Sequence, residues 1–202
     1  MPDLDDLLAE IRACRACAEY LPLGPRPVLQ AGAGARILVA SQAPGTRVHT
    51  SGVPFDDPSG DRLRAWLGVT RAQFHDPRLF AIVPMGFCYP GRGAGGDSPP
   101  RPECAQLWRD RLLSRLPSID LVLLVGSHAQ QHVLGKGSMT DRVRRFRDHL
   151  PLHLPLPHPS WRSRLWEARN PWFGEEVIPE LRRLVAARIG DIAEGGVERR
   201  GA

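Results

Sequence analysis

Lysine is almost missing from this chain of 202 residues. Lys136 is the only one, so arginine carries nearly all the positive charge behind a formal net charge of +5. Arginine forks match phosphate geometry and stack on bases, so the excess suits a polyanionic partner; arginine-rich codon usage would give the same composition. Asparagine is just as scarce, with Asn170 alone. No apolar run is long enough to span a bilayer, which argues against a membrane partner. The opening Met1-Pro2-Asp3-Leu4-Asp5-Asp6 is acidic and lacks the layout of a secretory signal, so a cytoplasmic protein is expected. Cysteine is limited to Cys14, Cys17, Cys88 and Cys104. In a cytosolic chain these are not expected to form structural disulfides, and the question becomes one of metal or cluster binding. There is no internal repeat and no nucleotide fingerprint: the glycine-rich run at 91–96 has no phosphate-loop lysine and no strand directly before it.

What is present reads as one globular domain. An apolar fraction of 42% and a charged fraction of 24% are ordinary for a packed core. Leu4, Leu7, Leu8 and Ile11 recur at helical spacing before the Cys14–Cys17 turn. A proline- and glycine-rich linking loop follows. Short apolar runs at 36–40, 79–83, 120–126 and 152–156 predict four strands. Helices are predicted from Ser59, over 103–116, from Ser127 and over 174–188, with a long irregular loop from Cys88 to Pro102. This alternation predicts an α/β fold: a three-layer αβα arrangement around a central, mostly parallel four-stranded sheet. The domain is expected over residues 1–190, with 191–202 as a flexible C-terminal tail. Ligands of such sheets bind outside the carboxyl ends of the strands, where Ser41-Gln42-Ala43-Pro44-Gly45, Gly126-Ser127-His128 and His158-Pro159-Ser160 should gather.

The loop Ser41–Gly45, continued by Thr50-Ser51-Gly52-Val53-Pro54-Phe55, resembles the first signature of the uracil-DNA glycosylase superfamily, and His158-Pro159-Ser160 resembles the second. The resemblance covers roughly residues 10 to 185. The cysteine spacing is similar to that of the iron–sulfur uracil-DNA glycosylases of bacteria and archaea, in which four cysteines hold a [4Fe–4S] cluster. On residue chemistry alone, four thiolates from two chain regions suit a cubane cluster or tetrahedral zinc, and unliganded thiols would pack as small hydrophobes.

The resemblance implies a DNA repair glycosylase acting as a monomer, which flips a deaminated base, uracil foremost, and hydrolyses its N-glycosidic bond. His158 is then the donor to the leaving base, against the plainer role of a satisfied loop histidine. Phe55 stacks on the base beside Ala43, Pro44 and Gly45, or else simply packs in the core. Ser160, Trp161 and Arg162 grip DNA, with Trp161 as a wedge; its plain alternative is packing on Trp166. Gln42 orients the attacking water but cannot take its proton. Asp57, with Asp56 beside it, is the nearest carboxylate, and either one fits a helix cap equally well. The iron–sulfur branch carries an asparagine before its third cysteine, whereas Ile82–Phe87 here holds no amide; Asn170 could replace it only by folding into the pocket. That departure keeps a second reading open: a nucleic-acid or nucleobase binding module on the same fold, with little or no turnover.

Overall fold

A computed structural model describes residues 3–93 and 95–198, with side chains through Gly190. The first helix, α1 (Leu4–Arg12), starts at a capping box between Asp3 and Asp6 and buries Leu7, Leu8 and Ile11. The sheet strands are β1 (Ile37–Ala40), β2 (Phe80–Ile82), β5 (Leu121–Val125) and β6 (His153–Leu156). Between them, β3 (Arg92–Gly93) and β4 (Gly96–Asp97) form a separate antiparallel hairpin. The sheet order is β2-β1-β5-β6 and every pairing is parallel. In register, Val39 lies beside Ile82 on one side and Leu123 on the other, and Leu124 pairs with Pro155. Proline is tolerated at that point because β6 is an edge strand.

Strand alternation builds the two cores. Ile37 and Val39 of β1 face a layer made by Leu63 and Leu67 of α3 (Pro58–Leu67), Val143 of α8 (Met139–Arg144) and Leu181 of α10 (Ile178–Glu198). Leu38 and Ala40 face the other way, onto Leu7 and Ile11 of α1, Trp108, Leu112 of α6 (Asp110–Leu113) and Ala129 of α7 (Ser127–Leu134). Helices therefore cover both faces of a buried parallel sheet, the three-layer αβα arrangement expected from the strand–helix alternation.

The structure departs from the sequence reading at several points. The helix expected over 103–116 is α5 (Pro102–Cys104), a π-helical stretch at Ala105–Arg109, and α6 in succession. The loop expected to be irregular from Cys88 to Pro102 contains the β3–β4 hairpin. Short helices α2 (Thr46–Ser51), α4 (Arg71–Phe74), α8 and α9 (Ser163–Arg169) were not legible, being too short to show a period. The chain was expected to be a flexible tail over 191–202. Of that segment the helical backbone of α10 is described through Glu198; the side chains from Asp191 onward and residues 199–202 lie outside the described residues. Among the described residues no helix is long and apolar enough to cross a membrane.

Candidate active site

The segments that follow β1, β2 and β6 line one cavity of about 460 Å³; Gly126-Ser127-His128 after β5, expected to join them, does not line it, and His128 lines a separate cavity. The loop after β1 supplies one wall. Its backbone is pinned to the segment after β2: the Met85 N–H donates to the Ser41 carbonyl (2.8 Å) and the Gly86 N–H to the Gln42 carbonyl (2.9 Å). With Ser41 buried beneath it, the loop presents Gln42, Ala43, Pro44 and Gly45 to the cavity. Gly45 then caps α2.

Phe55 and Asp57 form a second wall. Phe55 is the only non-glycine residue at positive φ (55°) among the described residues. That left-handed backbone carries a strain on the order of 1 kcal/mol. It is held in place from outside. Arg64 Nη1 donates to the Phe55 carbonyl at 3.2 Å, and the ring meets Phe74 edge-on at 5.9 Å. Gly60 packs so closely that a Cβ there would collide with the Phe55 carbonyl. Phe55 thus both packs against the core and lines the cavity. Asp57 likewise has two contacts: its Oδ1 accepts from the Gly60 N–H at 2.8 Å as the N-cap of α3, and it lines the cavity. Asp56 is elsewhere, paired with Arg71 at 2.8 Å, which holds its carboxyl below the ordinary carboxylate range.

The loop after β6 closes the site. The His158 carbonyl accepts from the Ser160 N–H (2.9 Å) and from the Ser163 hydroxyl, which fixes the turn. The imidazole lies over Gly126, whose positive φ (85°) turns the chain from β5 into α7 directly beneath it. Burial pushes the His158 pKa below its ordinary 6.5; the nearby Asp57 charge opposes this and His128 adds to it. At neutral pH the ring is therefore uncharged and carries one N–H. Ser160, Trp161 and Arg162 line the mouth of the cavity. Trp161 is 73% exposed, with the Arg162 guanidinium 5.5 Å from its ring centre. It does not pack on Trp166, which instead contacts Trp172 and Phe173 and donates to Thr140 Oγ1.

Asn170 does not reach the cavity: its Nδ2 donates to the Trp166 carbonyl at 2.7 Å, at the end of α9. The wall after β2 is Pro84, which offers no polar side chain. Among the lining residues that escaped the sequence reading are Arg92, Gly95, Gly96 and Asp97 of the β3–β4 hairpin. The hairpin is tied across the mouth by Arg162 Nη1, which donates to the Gly95 carbonyl at 2.5 Å. Two-residue strands in a glycine-rich stretch leave no periodic signal, so only the fold could reveal them.

Residues 30–182 match the family model described as the uracil DNA glycosylase superfamily. The chain belongs to this superfamily. The match runs from the loop before β1 into α10 and takes in both signature loops and the β3–β4 hairpin.

The four cysteines of this superfamily member meet at a second cavity, which shares no lining residue with the first. Cys14 and Cys17 approach from the end of α1, Cys88 from the segment after β2, and Cys104 from α5, among Leu21, Phe87 and Trp108. All four are free thiols. Burial pushes Cys88 up to about 11 and Cys104 up to about 12, with the other cysteines adding to the rise. The Cys104 sulfur also accepts from the Phe87 N–H at 3.2 Å. Among the described residues no three histidine, cysteine or acidic side chains converge on a single metal ion. Four soft sulfur donors around one apolar space are the donor type that an iron–sulfur cluster or a zinc ion takes.

Proposed function

We propose that this protein is a monofunctional DNA glycosylase that takes a deaminated base, uracil first, out of DNA and hydrolyses its N-glycosidic bond. The observation that carries the reading is the convergence of both signature loops on one cavity, with an uncharged His158 on one wall and Phe55 on another. The base leaves as an anion once the C1′–N bond breaks. A neutral imidazole N–H aimed at the developing charge is a suitable donor, and it has no buried positive charge to desolvate. Phe55 offers a ring face to hold the base flat, while Gln42 orients water. Trp161 is solvent-facing beside Arg162, which suits insertion into the base stack and contact with phosphate.

Cys14, Cys17, Cys88 and Cys104 are proposed to hold a [4Fe–4S] cluster. Bound there, it would supply a covalent tie between the start of the chain and both ends of the segment that carries the β3–β4 hairpin. Such a tie would fix the hairpin over the cavity.

Pro84 favours a second reading. The wall after β2 cannot read a base edge, and a site that recognises its ligand by hydrogen bonds depends on such groups. A binding module would hold DNA or a nucleobase without turnover. Incubation with single- and double-stranded oligonucleotides containing uracil, hypoxanthine or xanthine separates the two. Alkali-labile abasic product from uracil is the expected result. Tight, salt-sensitive binding with no base release from any substrate would replace the glycosylase with the binding module.

A further inference from the structure

The first signature loop leaves a gap in the chemistry. Gln42 can orient a water but cannot accept its proton, and Asp57 already spends one carboxylate oxygen on the Gly60 N–H. The carboxylate that faces the same cavity without a capping duty comes from a different segment. Asp97 lies on β4, opposite Arg92 of β3, and lines the cavity. Its Oδ2 stands 3.4 Å from the point that a Cβ on Gly45 would occupy, so the carboxylate lies against the signature loop. Arg162 holds the hairpin there through the Gly95 carbonyl.

We propose that Asp97 is the general base of this site, taking the proton of the water that Gln42 orients. The assignment rests on the glycosylase reading. In the step, the C1′–N bond breaks and its electron pair leaves with the base, whose charge is met by the His158 N–H. The bond that forms joins the water oxygen to C1′. The water proton passes to the Asp97 carboxylate and from there to solvent or to the departing base, so the net reaction is hydrolysis with no redox partner. As an anion Asp97 also faces the positive sugar that develops as the bond breaks.

The surroundings suit a base. Although the residue is exposed on the hairpin, its carboxyl is partly shielded from water, which pushes its pKa above the ordinary carboxylate value; Arg92 opposes the rise and Asp57 adds to it. A more basic carboxylate accepts a proton more readily. The charged and titratable groups around it are Arg92 across the hairpin, Asp57 at the start of α3, and Arg162 and His158 on the loop after β6.

The test is single-turnover excision by the full chain on a uracil oligonucleotide, with affinity for the same DNA measured separately. Asp97→Asn is expected to slow excision by about 100-fold or more while DNA affinity stays within about threefold. The wild-type rate is expected to fall on acidification through a limb lying above the ordinary 3.8 of a carboxylic acid; Asp97→Asn should lose that limb. Arg92→Gln should move it to higher pH, because a cation that lowers the Asp97 pKa has been removed. Asp97→Glu should recover part of the rate. An Asp97→Asn protein that excises within about threefold of wild type overturns the assignment and leaves the glycosylase standing. So does one that keeps its rate but changes the base it removes, or one whose loss is explained by weaker DNA binding. A wild-type protein inactive on every base tested overturns the glycosylase reading, and this assignment with it.

Discussion

The cavity at the strand ends and the cysteine cavity are shaped by the same force with opposite consequences. Burial disfavours charge in both. At His158 it removes a proton and leaves the neutral imidazole that the proposed chemistry needs. At Cys88 and Cys104 it retains the proton and leaves thiols that cannot ligate until a metal displaces it. The proposed chemistry at the first site uses side chains of the polypeptide; at the second, the proposed cluster would have to supply the charge. Their surroundings differ accordingly. The first has backbone carbonyls pinned at 2.8–2.9 Å, a strained Phe55 and a glycine packed beneath it. The second has Leu21, Phe87, Trp108 and four sulfurs. They are joined in sequence and in space: Cys88 and Cys104 bracket the hairpin that carries Arg92 and Asp97 to the first cavity, and Gly86, which lines the second, donates its N–H to the Gln42 carbonyl at 2.9 Å.

Removing the donor should have the largest effect on one site alone. His158→Ala is expected to slow base excision by about 100- to 1000-fold, the scale of a lost oxyanion-type donor, with iron content unchanged; single-turnover gels and iron analysis read the two. The complementary change attacks the link. Cys104→Ser should abolish bound iron and its broad visible absorbance, and loosening of the hairpin should slow excision by up to about 100-fold. If excision stayed at the wild-type rate after iron was lost, the two sites would be independent. Gly60→Ala tests how rigidly Phe55 is held: the added methyl collides with the Phe55 carbonyl, and a loss of about 3 kcal/mol is expected in urea unfolding. The smallest effect belongs to Trp161→Ala. With the side chain 73% exposed, stability should stay within about 0.5 kcal/mol, while DNA affinity falls by roughly tenfold for the loss of one stacking ring.

The strands were legible because each is a short apolar run: Ile37–Ala40 and Leu121–Val125 are buried throughout, so the sequence pattern and the burial coincide. The two signature loops were legible because they follow β1 and β6, and strand ends of a parallel sheet share an edge. What stayed hidden had either no period or no local cause. The hairpin has two residues in each strand, and α2 has six residues. Asn170 was a chemically reasonable reader of a base edge, yet the fold uses it to close α9 on its own backbone. Asp57 was weighed as a cap or as a carboxylate of the site, and it is in position for both.

By itself the sequence determined the alternation of strands and helices, the two loops at one edge of the sheet, and a positive charge carried almost wholly by arginine. These follow from local pattern and composition, which a linear chain displays in full. Tertiary structure alone decided that Arg92 and Asp97 share the cavity with Gln42 and His158. It also decided that Pro84 lines the cavity while Asn170 stays outside, and that burial lowers the His158 pKa. The physical reason is the same in each case. Proximity across 50 or more residues, and the loss of water that shifts a pKa, exist only once the chain has packed.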